Sequence, residues 1–339
     1  MERQKDRMTR LDELVAQIKR DHVYIQTHNF PDPDAIASAF GLQGLLKTRG
    51  INATICYRGK IDRYSTEKLI ELLGIEIKNL DEEEISTDED EIILVDAQKG
   101  NANIVNMKGN EIICIDHHPI FCEGTYRFAD IRTDVGACAS IIASYYMEEN
   151  VPFTRNIATA LTFGIHTDTG NLSRGVSKLD VEMLYQMFDW CDQNIIHMLE
   201  NSNLYFEDLL AYSKAISSMK VYGDVTFANT GSGCPEALVA NVSDFMLALV
   251  GVTFSVVYSQ RKDGIKMSVR SERMALDAGK VVNAALRGIG NGGGHAAMAG
   301  GFVPFTGSKE QAEDLMVEIQ ERFLKIIEEE NKKLGQSAE

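Results

Sequence analysis

Two aspartates separated by one residue, Asp32 and Asp34, follow a histidine, His28, in the stretch THNFPDPDAIAS at 27–38. Further acids and imidazoles stand at Asp96 in IILVDA, at Asp116, His117 and His118 in IICIDHHP, and at Asp168 in GIHTDTGN. Carboxylates with imidazoles, and no thiolate among the candidates, form a donor set that favours Mn²⁺, Mg²⁺ or Fe²⁺ over structural zinc. Asp32 and Asp34 can converge on one place only if each addresses a different ion. The spacing therefore predicts a two-metal site, an arrangement suited to attack on phosphate esters. Each signal is weak alone, because an aspartate at a strand end is commonly a helix cap or turn residue. Their joint occurrence carries the reading.

Elements must bring these residues together. HVYIQT at 22–27 reads as a strand, AIASAFGLQGLLKTRG as a helix, and NATICY at 52–57 as the next strand. TEKLIELLG, IILVDA at 92–97 and IICID at 112–116 continue the alternation. Fully apolar strands between helices predict an α/β fold: an N-terminal, mostly parallel sheet flanked by helices on both faces. In such a sheet the carboxyl ends of the strands share one edge, where ligands bind. His28, Asp32, Asp34, Asp96, Asp116, His117 and His118 all follow strands, so they fall on that edge; Asp168 is expected in a loop just after a helix.

The ends of the chain read differently. Leu11, Leu14, Val15 and Ile18 mark a first helix within 1–20, and the pattern from 134 to 215 is helical. VTFSVVYSQ-RKDG-IKMSVRS predicts a hairpin turning at Asp263-Gly264, followed by the glycine-rich GIGNGGGHAAMAGGF at 288–302 and a closing helix. The expected organisation is a domain at 1–200, a helical linker at 201–215, and a smaller α/β domain with a mixed sheet at 216–339, with the active cleft between the two.

Composition narrows the class. The formal net charge is −16, from 34 basic and 50 acidic residues, which argues against long duplex nucleic acid as a partner. It leaves room for a small anionic ligand beside bound cations, which invert the local field. The acidic run at 81–91 reads as a solvated loop. Six scattered cysteines without a C-x-x-C pair are expected as reduced thiols in a cytoplasmic protein. The charged N-terminus lacks the apolar core of a signal peptide, and 245–258, the most apolar run, is too short to span a bilayer.

Taken in order, H-N-F-P-D-P-D-A-I-A-S, V-D-A-Q, I-D-H-H-P and H-T-D-T-G resemble the four motifs of the DHH phosphoesterase superfamily. G-G-G-H-A-A-M-A-G-G, with M-S-V-R-S at 267–271 before it, resembles the glycine-rich motif of the DHH-associated C-terminal domain. The resemblance is to the stand-alone nanoRNase and small-nucleotide phosphodiesterase type. It implies one ion held by His28, Asp32 and Asp96, and another by Asp34, Asp96, His117 and Asp168, with Asp96 bridging and Mn²⁺ the usual metal. It implies that His118 hydrogen-bonds the scissile phosphate and that Asp116 orients the loop and its histidines. Arg270, Ser271, Gly292, Gly293, Gly294 and His295 would hold the substrate's far nucleotide, and Arg174 is a further substrate contact. One departure concerns specificity: relatives follow T-D-T-G with an aromatic and an arginine, whereas here Leu172 replaces the aromatic and Arg174 is displaced by one position.

The expected activity is therefore Mn²⁺-dependent hydrolysis of linear dinucleotides such as pApA or pGpG, or of very short RNA, to mononucleotides. Cyclic dinucleotides (c-di-AMP, c-di-GMP, cGAMP) and 3′,5′-bisphosphorylated nucleotides are the alternatives, and a homodimer is the assembly such relatives suggest. A manganese pyrophosphatase shares the D-H-H-P motif but carries a different C-terminal domain. A RecJ-like exonuclease fits poorly with so acidic a chain, and an inactive nucleotide sensor fits poorly with a full set of ligand positions.

Overall fold

The computed structural model describes residues 8–61, 63–83, 85–101, 103–120, 124–201, 204–273 and 275–336. They fall into two compact units, one within 1–203 and one within 204–339.

The first unit is built on six parallel strands: β1 (His22–Gln26), β2 (Asn52–Tyr57), β3 (Ile77–Asn79), β4 (Glu91–Val95), β5 (Asn110–Asp116) and β6 (Phe128–Ile131), in the order β3-β2-β1-β4-β5-β6. The order reverses between β1 and β4, the switch point at which open α/β sheets bind ligands. Strand residues alternate between two clusters. Val23, Ile25, Ile93, Val95, Ile113 and Ile115 join one; Cys56, Ile92 and Leu94 join the other.

Among the described residues seven helices belong to this unit: α1 (Arg10–Val15), α2 (Pro33–Thr48), α3 (Tyr64–Leu73), α4 (Cys138–Glu149), α5 (Arg155–Asp168), α6 (Lys178–Met187) and α7 (Gln193–Asn201). The expectation of helices on both faces is corrected here, because buried residues of all seven join the first cluster. The connections after β3 and β4 contain no helix among the described residues, and Leu80, Ala97, Ile104 and Met107 from those connections fill the second cluster instead. Apolar loop side chains thus do what a covering helix does in a doubly wound sheet.

Helix packing beneath the site is close. At Gly44 of α2 a Cβ would lie 2.6 Å from the Tyr146 hydroxyl and 2.7 Å from Ile157 Cδ1, so α2 reaches α4 and α5 only because the side chain is absent. Tyr146 donates from that hydroxyl to the Gly41 carbonyl at 2.8 Å.

In the second unit α8 (Leu209–Ser218) packs through Ala211 and Ala215 on β8 (Val225–Ser232), so two residues of the segment expected as a linker are buried in this unit; residues 202 and 203 lie outside the described residues. Its sheet runs β11-β12-β10-β9-β8-β7 and is mixed, with β8 (Val225–Ser232) parallel to β9 (Phe254–Gln260) and the other pairs antiparallel. The expected hairpin is β9 and β10 (Gly264–Ser271). β7 is Lys220–Tyr222, and α9 is Glu236–Leu247. β11 (Asn291–Gly294) and β12 (Met298–Pro304) follow α10 (Ala278–Leu286), and the unit closes with α11 (Lys309–Gln336).

Of the six cysteines, Cys56, Cys114, Cys138, Cys191 and Cys234 are buried; Cys122 lies outside the described residues. Among the described residues no helix is long and apolar enough to cross a membrane.

Candidate metal centre

Three segments deliver candidate ligands to the carboxyl ends of β1, β4 and β5, and a helix end adds a further one. After β1 the chain turns through HNFPD, with Phe30 in the left-handed region at φ 57°, and enters α2 at Pro33, where a missing N–H is harmless. Asp32 is the N-cap: its Oδ1 accepts from the N–H of Asp34 at 3.0 Å and of Ala35 at 3.1 Å. The ordinary role of a strand-end aspartate and a place in a ligand cluster are therefore compatible. Asp96 follows β4, also left-handed at φ 57°, a conformation aspartate tolerates better than most residues. Asp168 is the last residue of α5, not a loop residue as expected. Thr169 N–H still bonds the Ile165 carbonyl, and the chain leaves the helix only at Gly170, φ 54°.

The donors converge in overlapping groups: His28, Asp32 and Asp96; Asp34, His117 and Asp168; and Asp96, Asp116, His117 and His118. Within each, one ligand atom per residue lies within 4.8 Å of the others. His28 Nε2 is 3.5 Å from Asp96 Oδ2, while His117 Nε2 is 3.2 Å from Asp168 Oδ2, 3.5 Å from Asp96 Oδ1 and 4.0 Å from Asp34 Oδ2. Both rings are oriented from behind: His28 Nδ1 lies 2.8 Å from the Asn29 carbonyl and His117 Nδ1 3.2 Å from that of Val135. Those carbonyls can only accept, so each Nδ1 carries the proton and each Nε2 is left as a ligand atom.

Asp34, fully buried, has a second task. α4 has no side-chain cap of its own, and Asp34 accepts from the N–H of Cys138 at 2.7 Å and of Ala139 at 2.9 Å. A ligand candidate from one segment thus caps a helix about a hundred residues away in sequence. Asp116 Oδ1 accepts from His118 Nδ1 at 2.8 Å and from the N–H groups of His117 and His118, while Gln98 Nε2 donates to its Oδ2 at 2.8 Å and to the His118 carbonyl at 3.0 Å.

Charge at the site is unbalanced. Burial drives Asp34 and Asp96 above the usual carboxylate range; at Asp34 the Asp168 and Asp96 carboxylates add to it, and at Asp96 the imidazole of His28 opposes it. Burial acts to lower His28, but its contact with Asp96 and the charge of Asp32 outweigh this and raise it to about 10. Burial likewise acts to lower His117, but its contact with Asp168 and the charge of Asp96 outweigh this and raise it. Without positive charge from elsewhere, the acids hold protons on the imidazoles.

Two buried atoms test whether cations fit. Asp96 Oδ1 and His117 Nε2 have no hydrogen-bond partner among the described residues, although buried polar atoms are ordinarily satisfied. These are two of the atoms a metal would take, and oxygen and imidazole donors suit Mn²⁺, Mg²⁺ or Fe²⁺. The residues fit the group.

The remaining candidates lie elsewhere. Arg174 Nε is 3.5 Å from the Asp168 carbonyl, beside the cluster. Arg270 is nearly buried in the second unit, donating from Nε to Asp244 Oδ1 at 2.7 Å and from one terminal nitrogen to Ser268 Oγ and the Val269 carbonyl. Ser271 Oγ donates to the Leu276 carbonyl. Gly292, Gly293 and Gly294 of the glycine-rich motif lie in β11, where their partners on β12 are Gly301, Gly300 and Ala299; His295 N–H bonds the Met298 carbonyl. With partners this small opposite, main-chain pairing prevails over loop geometry.

Sequence reasoning passed over Gln98, the α4 N-terminus and Asp180. Gln98 stands inside V-D-A-Q with no feature to mark it. Ser177-x-x-Asp180, by contrast, is a readable capping signature, present in the structure as a reciprocal box at the start of α6.

A parallel sheet with imidazole–carboxylate clusters at its switch point, followed by a unit with a mixed sheet, defines an α/β protein with a candidate metal centre. Residues 22–165 match the DHH family, N-terminal domain, and residues 221–326 the DHHA1 domain. The chain belongs to the DHH phosphoesterase superfamily and carries its C-terminal DHH-associated domain. Two proteins of Methanocaldococcus jannaschii are similar: "Uncharacterized protein MJ1633", 32% identical over 93% of this chain and 66% of its own length, and "Uncharacterized protein MJ0988", 27% identical over 96% and 100%. Cyclic-di-AMP phosphodiesterase PdeA of Listeria monocytogenes is 26% identical over 77% of this chain, which spans 42% of that protein. The chain spans 48% of a "Probable manganese-dependent inorganic pyrophosphatase" of Streptococcus thermophilus, 26% identical over 43% of this chain. Among solved structures, an exopolyphosphatase-related protein from Bacteroides fragilis shares the fold, with TM-score 0.72 and 18% identity over 94% of this chain and 97% of its own.

Proposed function

We propose that this protein is a divalent-metal-dependent phosphodiesterase that hydrolyses short nucleotides, linear dinucleotides such as pApA or pGpG and very short RNA, to mononucleotides. One observation carries the reading: buried imidazole and carboxylate donors, two of their atoms without hydrogen-bond partners among the described residues, gather at the switch point of a DHH sheet in a chain that also bears a DHHA1 unit.

His28, Asp32 and Asp96 would hold one ion and Asp34, Asp96, His117 and Asp168 the other, with Mn²⁺ the preferred metal. When bound, the ions supply Lewis acidity, lowering the pKa of water and neutralising charge on the phosphate. The chain's own groups do the rest. The Asn29 and Val135 carbonyls fix the ligand rings of His28 and His117. Asp116 holds the Nδ1 proton of His118, which directs the other ring nitrogen to the phosphate being cleaved. Arg174 lies on the side of Asp168 and would meet substrate there. Arg270, Ser271, Gly292, Gly293, Gly294 and His295 would bind the far nucleotide, a homodimer is the expected assembly, and the cytoplasm the expected compartment.

The similarity to PdeA favours a second reading, in which the substrate is a cyclic dinucleotide. Product analysis separates them. Protein with Mn²⁺ is incubated with pGpG, pApA, a five-residue RNA, cyclic-di-AMP, cyclic-di-GMP, adenosine 3′,5′-bisphosphate and pyrophosphate, and the products are followed by chromatography. Mononucleotides from linear dinucleotides are expected. Cleavage of cyclic dinucleotides alone would favour the second reading, and hydrolysis of pyrophosphate alone would overturn both.

A further inference from the structure

Asp180 is fully buried on α6 and pairs with no cation among the described residues. Four donors satisfy its carboxylate. Oδ2 accepts from Ser177 N–H at 2.6 Å, Ser177 Oγ at 2.7 Å and Gly136 N–H at 3.0 Å, and Oδ1 accepts from Ser140 Oγ at 2.6 Å. Of these four a capping box needs only the bond from Ser177 N–H, its other half being Asp180 N–H donating to Ser177 Oγ. The bonds from Gly136 and Ser140 reach across to either side of the α4 N-terminus.

That turn touches two members of one ligand group, His117 and Asp34, and the residue that follows the third, Asp168. The Val135 carbonyl orients His117, and the N–H groups of Cys138 and Ala139 hold both oxygens of Asp34. Gly136 packs so tightly that a Cβ there would lie 2.6 Å from Asp180 Oδ2 and 2.9 Å from Cγ2 of Thr169, the residue after Asp168. The other group leans on different supports: His28 on Asn29, Asp32 on the start of α2, and Asp96 on the Ile115 carbonyl.

We propose that Asp180 is a positioning residue which, by anchoring residues 136–140, sets the geometry of the Asp34–His117–Asp168 ion site and leaves the His28–Asp32–Asp96 site alone. The proposal rests on the two-ion reading above. It turns a buried acid outside all four motifs into a determinant of metal stoichiometry. Asparagine cannot replace it, because an amide offers one acceptor atom where two oxygens now receive four bonds.

Calorimetric titration of metal-free protein with Mn²⁺, with unbound Mn²⁺ followed by electron paramagnetic resonance, tests this without recourse to activity. Wild type is expected to take up two ions per chain. Asp180→Asn is expected to keep one at unchanged affinity and weaken the other about 10- to 100-fold, the usual scale for groups that orient ligands. Ser140→Ala, which removes a single bond and is milder to the fold, should weaken the same ion by less. Glu91→Gln supplies the control for destabilisation alone: Glu91 is a buried acid at the start of β4, the opposite end of that strand from Asp96, where it accepts from the N–H groups of Lys19 and Arg20, and its loss should leave both ions in place. Two ions of wild-type affinity in folded Asp180→Asn or Ser140→Ala would overturn the proposal, as would equal weakening in Glu91→Gln. Wild type that takes up no Mn²⁺ would overturn the two-ion reading and this proposal together. Wild type that binds two ions but cleaves no nucleotide would overturn only the substrate assignment.

Discussion

Gln98 and Asp116 are joined by a buried 2.8 Å hydrogen bond, and the same amide group reaches 3.0 Å to the His118 carbonyl. Both protons of one side-chain amide are thereby spent on the D-H-H turn. Asp116 in turn fixes His118, so Gln98 governs that ring at one remove. Gln98→Ala is expected to lower kcat by about 10- to 100-fold with little change in KM. Gln98→Glu should be worse, since it sets a carboxylate against Asp116. Steady-state kinetics on the preferred dinucleotide check this, and a KM effect alone would point to a substrate contact instead.

Asp34→Ala and Asp96→Ala are expected to abolish hydrolysis by removing donors from the centre. Asp34→Ala should also lower thermal stability, because the Cys138 and Ala139 N–H groups lose their acceptor. Asp96→Ala should not carry that second penalty. Turnover at the wild-type rate in either variant would exclude the proposed centre, and melting curves read the difference between them.

Metal removal should destabilise the protein. Cations that bind the folded chain at a hundred times their Kd add about 2.7 kcal/mol per site. The effect should be large here because the acids otherwise repel one another in a buried place. Chelator should lower Tm and Mn²⁺ should restore it in a concentration-dependent way; a Tm indifferent to both would count against any ion at the site.

Stability should also depend on Asp130. Burial acts to raise its pKa, but hydrogen bonds from Arg132 and Tyr145 outweigh this and hold the carboxyl below its ordinary value. A depressed folded pKa contributes stability above the unfolded value of about 3.9, and that contribution is lost as pH falls through the lower folded value. Asp130→Asn should therefore melt below wild type at pH 7, with the gap closing as the pH drops below about 4. A gap independent of pH would mean that shape rather than charge matters at that position.

Gly44→Ala sets two magnitudes against each other. Alanine gains about 1 kcal/mol of helix propensity over glycine. The new methyl would meet Tyr146 and Ile157 at under 3 Å, and overpacking costs about 1–3 kcal/mol. The Tyr146 hydroxyl cannot simply swing away, because it bonds the Gly41 carbonyl. A lower Tm is expected, and an unchanged or raised one would show that the contact between α2 and α4 yields easily.

Much of this was legible in the sequence. The alternation of apolar strands and helices gives the parallel sheet, and its carboxyl edge collects His28, Asp32, Asp34, Asp96 and the D-H-H residues as expected, since motif chemistry and strand ends coincide at each. Three things were not legible. The second face of the sheet is covered by Ile104 and Met107 from an irregular segment, which carries no periodic signal. The glycines at 292–294 carry no strand signal of their own, and their pairing with small partners on β12 is a fact of the fold. The anchoring of Asp34 uses backbone N–H groups of Cys138 and Ala139, which any side chain could present, so no residue type advertises it.

The loop cover over the second face is tied to the candidate metal centre. That cover starts at Asp96 and Gln98, and its later part is stitched to the His28 segment: Asn29 N–H bonds the Asn103 carbonyl, Val105 N–H bonds Asn29 Oδ1, and Gln26 bonds both Val105 and Met107. The roof of the sheet and the floor of the ion site are thus one continuous piece of chain. Occupancy at the carboxyl edge would be felt as stiffness across a whole hydrophobic face, at residues with no polar role of their own.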